Sequence, residues 1–155
     1  MRISLCGYYG KNNFGDDMMA ALLSEKISQN KHTIKLFSDC SNGTFDYRKT
    51  SFLDTDLIVI GGGGIIDTKF WALSETNIEK MRESKIPITF LNVNIYQESL
   101  NNSQFIKNLF DLNANWWVRD KFTHDELKKL NFKVKFLPDI LFTLKLENKN
   151  KINKK

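Results

Sequence analysis

The chain is poor in the residues that most often build covalent or metal scaffolds, with two cysteines and two histidines in 155 residues. Cys6 lies in an apolar run and Cys40 in a polar stretch, and neither has a second Cys or His beside it at metal-ligand spacing. Both are expected as reduced thiols, which excludes a disulfide framework and a zinc site. Apolar runs of the roughly 20 residues needed to cross a bilayer are missing, and no basic, apolar, small-residue leader opens the chain. The expectation is a cytoplasmic protein without a transmembrane segment. A basic surface is missing as well. The net charge of +5 sits in residues 145–155, KLENKNKINKK, whose five Lys and one Glu give +4 and leave +1 for residues 1–144. Nucleic acid is therefore not an expected partner. The tail is too polar to offset its own ordering entropy and reads as a solvated terminus or the start of an interdomain linker.

What is present is ordinary for a globular domain: 41% hydrophobic and 12% aromatic residues, with the domain expected over residues 1–144. Strand-like and helix-like segments alternate. Ile3–Gly7, Thr33–Phe37, Leu57–Ile60, the PITFLNVN run from Pro87, NANWWVRD and KVKFL read as six strands. Helices are expected over Asp16–Gln29, Thr68–Ser84, residues 99–112 and THDELKKL, and a polar loop over Ser38 to about Thr55. The rhythm predicts an α/β fold, an open, doubly wound, mostly parallel sheet of Rossmann-like type. Leu57–Ile60 is continuously apolar, as a central parallel strand buried on both faces requires.

Ligands of such sheets bind outside the carboxyl ends of the strands, and the polar exceptions of this sequence fall there. They are Gly7–Asp17 after the first strand, Gly61–Gly64 with Asp67 after the third, and Asn94, Tyr96 and Gln97 after the fourth. Arg119 and Asp120 follow the fifth, and Asp139 the sixth. Gly10 and Gly15 have the spacing of a phosphate loop, but Asp16 and Asp17 stand where that loop carries Lys and Ser or Thr. Two carboxylates in place of the cation exclude a triphosphate cradle. Gly61–Gly64 fails the G-x-G-x-x-G register, which ends on Ile66 or Asp67, so a dinucleotide is not expected either.

Asn13, Asp16 and Asp17 admit two readings, capping of the helix that follows or contact with the hydroxyls of a neutral polar ligand such as a sugar. Tyr8, Tyr9 and Tyr96 either pack on a pyranose ring or belong to the core. Trp116 and Trp117 must face opposite sides of their strand. Arg119 with Asp120 is expected as an internal ion pair rather than an anion contact. His32 is expected on the opposite rim, at the surface, and His124 near the Arg119 loop.

Together, GYYGKNNFGDDMMAALL, DLIVIGGGGIID, VRDKFTHDELKKLNF and LPDILFTL resemble the amino-terminal half of the polysaccharide pyruvyl transferase family over almost all of residues 1–144. The resemblance implies one half of a transferase with two Rossmann domains, similar to GT-B glycosyltransferases, with its site in the cleft between halves. It implies transfer of pyruvate from phosphoenolpyruvate onto two hydroxyls of a saccharide acceptor as a ketal, in capsule, exopolysaccharide or cell-wall polymer synthesis. The route would be protonation of the donor's methylene carbon and attack of a sugar hydroxyl on the resulting cation. The chain would work in the cytoplasm, at the inner face of the membrane if its substrate is lipid-linked. No cofactor or metal is implied; phosphoenolpyruvate enters as donor substrate.

Carried onto this sequence, the resemblance selects Gly7, Gly10, Asn13, Gly15, Gly62, Gly63, Asp67, Arg119, Asp120 and Asp139, with Asp16 as the candidate catalytic base. Position on the rim adds Tyr8, Asn94 and Tyr96 to the candidate substrate-binding residues. Asn131 departs from the family pattern, in which a Gly commonly ends the short helix. The chain also stops at Lys155, without the half that supplies much of the family's basic donor pocket. The rim offers few cations for a trianionic donor, namely Arg119, Lys11 and Lys121. The 155 residues are therefore expected to turn over little phosphoenolpyruvate unless a second chain or a carboxyl-terminal domain completes them. The same residues also fit a non-catalytic sugar-binding or scaffold subunit, or half of a nucleotide-sugar glycosyltransferase.

Overall fold

The computed structural model describes residues 1–38 and 51–143. Cys40, most of the polar stretch before residue 55, the boundary at 144 and the 145–155 tail lie outside the described residues. The chain forms one six-stranded sheet in the order β2-β1-β3-β4-β5-β6, every neighbouring pair parallel. The strands are β1 (Arg2–Cys6), β2 (Thr33–Phe37), β3 (Leu57–Ile66), β4 (Ile88–Ile95), β5 (Asn115–Val118) and β6 (Val134–Phe136). The helices are α1 (Phe14–Gln29), α2 (Glu75–Ser84), α3 (Gln97–Leu100), α4 (Ser103–Asp111) and α5 (Lys121–Lys129). The expected α/β, Rossmann-like sheet is the observed one.

Both faces of the sheet are packed, because residues in register alternate between two cores. Ile3, Leu5 and Val59 share one face and meet Ala20 and Leu23 of α1. Ile58, Ile60, Phe90 and Trp116 share the other and meet Ile78 and Met81 of α2, Ile106 and Leu109 of α4 and Leu127 of α5. Phe90 and Trp116 stack at 3.7 Å between ring centroids. Trp117 points away from Trp116, as the strand period demands, and lies under the Lys135 ammonium. Among the described residues no helix is long and apolar enough to cross a membrane.

Local polar chemistry redraws several boundaries. The helix expected over 68–84 begins only at Glu75. Asp67 first closes a turn by accepting the Lys69 amide at 2.8 Å, a 3-10 turn follows at Trp71–Leu73, and the Ser74 hydroxyl then accepts the Asn77 amide. The helix expected over 99–112 is two, divided because Asn102 leaves helical geometry and caps α4 through the Phe105 amide at 3.0 Å. The fifth helix starts two residues earlier than THDELKKL, capped by Asp120 on the Thr123 amide at 2.8 Å. Asn131, at the position where the resembled pattern commonly has Gly, ends this helix with φ 61°, a conformation Asn tolerates better than most residues.

The largest departure is β3. Gly61–Gly64, expected as a loop, continue the strand to Ile66, paired with β4 through Gly61–Leu91 and Gly63–Val93 before a register shift. A run without side chains reads as loop in sequence, but its backbone donors and acceptors find ladder partners on β4. Gly7 has a packing reason. A Cβ there would fall inside the Tyr9 ring, whose hydroxyl donates to the Gly61 carbonyl at 2.6 Å. Tyr9 is thus fully buried core and not a sugar platform. Gly7→Ala is expected to lower stability by about 1–3 kcal/mol, as overpacking does, read as a lower urea midpoint at unchanged slope.

Candidate functional site

The sheet order reverses between β1 and β3, and the crevice outside the carboxyl ends at such a switch point is the usual ligand position of an open α/β sheet. A pocket of about 540 Å³ opens there, lined by Tyr8, Lys11, Asn13, Gly15, Asp16, Met19, Gly64, Asn94, Tyr96, Arg119 and Leu141. Segments following β1, β4, β5 and β6 contribute to it, together with the end of β3 itself. A second cavity of similar size lies at the opposite end of β4–β6, between Trp117 and three lysines, away from the switch point.

The start of α1 forms the floor. Asn13 caps the helix, accepting the Gly15 amide at 3.2 Å, and its own amide donates to Asp16 Oδ2 at 2.7 Å. Asp17 turns the other way and accepts the Gly10 amide at 2.7 Å, closing the loop on the helix. The two acids of the loop therefore divide the work, one toward the loop backbone and one toward the pocket. Asp16 is 8% exposed and packs on Gly63, where an added Cβ would stand 2.5 Å from Oδ1 and where φ is 101°. Only glycine combines that backbone angle with that approach.

Burial raises the Asp16 carboxyl above the usual carboxylate range. The Arg119 guanidinium acts against this, and the charges of Asp17 and Asp139 add to it. Arg119 holds the far wall, donating from Nε to Asn94 Oδ1 at 3.1 Å and pairing with Asp139 Oδ2 at 3.2 Å. Its expected pairing with Asp120 is not formed: Arg119 meets Asp139 instead, while Asp120 Oδ1 caps α5. Tyr96 is 47% exposed, and its hydroxyl covers Gly64, where a Cβ would stand 2.6 Å away. Tyr8 packs edge-on against Phe70 and lies under the Lys11 ammonium at 4.7 Å.

Of the residues expected from sequence, Tyr8, Asn13, Gly15, Asp16, Asn94, Tyr96 and Arg119 line this pocket. Gly7, Gly10, Gly62, Gly63, Asp67 and Asp120 do not. Gly62 supports Tyr9 and Met19, Gly63 supports Asp16, Gly10 is bound by Asp17, and Asp67 and Asp120 hold turns. Lys121 begins α5 outside the lining. His124 bonds Asp125 at 2.9 Å, and His32, next to the amino end of β2, is half-buried rather than exposed. Met19 was foreseeable, one helical turn after Asp16. Leu141 was not, because it reaches the pocket from beyond the edge strand. Among the described residues no cluster of three His, Cys, Asp or Glu side chains is placed to hold a metal.

Asp16 also makes stability depend on pH. A carboxyl raised in the folded state binds its proton more tightly there than in the unfolded chain. Its contribution is therefore present below the unfolded value and is lost as pH rises toward the folded one. Asp16→Asn, whose amide oxygen still accepts from Asn13, is expected to be at least as stable as the parent at pH 7. Its melting temperature should also decline less between pH 4 and 7, as measured by calorimetry across that range.

No curated protein matches the chain. The model of the polysaccharide pyruvyl transferase family matches residues 13–155, taking in the Asn13–Asp17 helix start and every pocket segment after it. The chain belongs to the polysaccharide pyruvyl transferase family.

Proposed function

We propose that this chain is the acceptor-side, amino-terminal part of a polysaccharide pyruvyl transferase that moves pyruvate from phosphoenolpyruvate onto sugar hydroxyls. The observation that carries the reading is Asp16. It is a carboxyl desolvated on the pocket floor, held at one oxygen by Asn13, with its proton affinity raised by burial, and so placed to accept a proton. The groups around it are neutral and polar or aromatic: Asn13, Asn94, Tyr8 and Tyr96. Such a lining suits a polyhydroxylated ligand, with amides for its hydroxyls and rings for its apolar face. It suits a trianion poorly, because Arg119 is already paired with Asp139 and Lys11 is the other lining cation. The donor would be held by groups supplied from elsewhere, a carboxyl-terminal domain or a second chain.

In the proposed reaction an acid on the donor side gives a proton to the donor's methylene carbon, and its C2 becomes cationic. A sugar hydroxyl bonds to C2 and gives its proton to Asp16; a second hydroxyl then bonds to C2 as the C2–O bond to phosphate breaks, its proton leaving with the phosphate, and the ketal closes. The acceptor would be a precursor of capsule, exopolysaccharide or cell-wall polymer, met in the cytoplasm or at the inner membrane face.

Titration of the isotopically labelled chain with pyranosides is expected to shift NMR signals of Asn13, Gly64, Asn94 and Arg119. Phosphoenolpyruvate and nucleotide sugars should shift them less. Saccharide binding elsewhere would overturn the reading, and a stronger response to nucleotide sugars would favour a glycosyltransferase half. In the assembly that releases phosphate from phosphoenolpyruvate, Asp16→Asn should lower kcat by about 10²–10⁴-fold while saccharide shifts persist.

A further inference from the structure

Inside β4 the sequence FLNVN places Asn92 in an apolar run where an alternating strand has no use for an amide. The residue is 0% exposed and takes φ 57°. It is the extra residue where the β4–β5 register passes from Leu91–Trp117 to Val93–Val118, a β-bulge. The bulge turns the side chain toward the segment that leaves β6. Asn92 Nδ2 donates to the Pro138 carbonyl at 3.3 Å, and Asn92 Oδ1 accepts the Ile140 amide at 3.4 Å. One buried amide thus holds both peptides flanking Asp139, a task that needs a donor and an acceptor on one short side chain.

Between those two clamps Asp139 is fixed in turn. Its Oδ1 accepts the Leu141 amide at 3.0 Å and its Oδ2 meets Arg119 at 3.2 Å. Ile140 packs into the α1 core, and Leu141 arrives in the pocket wall. The bulged strand, the 138–140 turn and the far wall of the pocket are therefore one connected structure.

We infer that Asn92 is a positioning residue of the pocket. It clamps the 138–140 turn so that Asp139 orients the Arg119 guanidinium and Leu141 closes the wall. The inference rests on the pocket being the acceptor site for its functional meaning, but its test needs no ligand. Glycine adopts the bulge angle without strain, so Asn92→Gly removes the clamp and keeps the backbone. Solvent exchange of the Arg119 Nε proton, followed by NMR, is expected to become about tenfold faster, with Leu5 and Ile60 amides unchanged. In an Asp139→Ala background the same substitution should add nothing, because the clamp acts on Arg119 through Asp139 and not through Asn94 of the same strand. Unchanged Arg119 exchange in folded Asn92→Gly would overturn the inference. So would acceleration shared with Leu5 and Ile60, which marks a purely structural amide, or full additivity with Asp139→Ala. If Asn92→Gly does not fold, Asn92→Ser is read by the same criteria. Failure of the acceptor reading shows separately, as saccharide shifts away from Arg119.

Discussion

The bare backbone of Gly61–Gly64 is the constraint on which the rest of the molecule depends. It lets β3 run past β1 and stay beside β4 to Ile66 while other side chains occupy the space its own would fill. The Tyr9 ring rests near Gly62, the Asp16 carboxylate against Gly63, and the Tyr96 hydroxyl over Gly64. Tyr9 and Asp16 come from the segment after β1 and Tyr96 from the segment after β4, so the four glycines of β3 bring two parts of the rim together. A side chain at Gly63 would push the Asp16 carboxylate, the floor of the pocket, away from the switch point. Four glycines inside a strand carry an entropic cost on folding. The ladder to β4 and the side chains lying on that backbone offset it.

The charge arrangement follows from the same packing. Asp16 is pressed into a surface that offers it one amide from Asn13 and the field of Arg119, while Asp17, one residue later, satisfies the loop backbone. Arg119 is committed on two sides, to Asn94 and to Asp139, so its guanidinium is a fixed wall and not a mobile anion clamp. A site with one desolvated carboxyl, one fixed cation and several neutral hydrogen-bonding groups has the chemistry that the proposed orienting of hydroxyls requires. Family membership over residues 13–155 gives that arrangement its context.

Much of the architecture was legible because it is carried by local pattern. Apolar runs of strand length alternating with amphipathic segments admit few arrangements, and the parallel sheet followed from that rhythm. The rim was legible for the same reason, since polar residues just after apolar strands must lie at the carboxyl edge. Glycine in series was not legible as strand, because its propensity is low and only the ladder partner on β4 overrides it. Tyr9 and Tyr8 are adjacent and alike in sequence. One is core and the other lines the pocket because Gly7 leaves room for a single ring. Arg119 was expected to pair with its sequence neighbour Asp120, but Asp120 sits at the cap of α5 and the guanidinium reaches Asp139 on the segment after β6.

The sequence by itself determined the sheet, its two buried faces, the polar rim at the carboxyl ends of the strands and the two acids that stand where a phosphate loop carries Lys and Ser or Thr. Composition and period act over a few residues and are fully present in the linear chain. Only the tertiary structure decided which rim residues converge. Asp16 meets Gly63, Arg119 meets Asp139, and Asn92 meets the turn after β6, across 47, 20 and up to 48 residues of chain respectively. Contacts of that range are set by strand order and a bulged register, which no local pattern encodes.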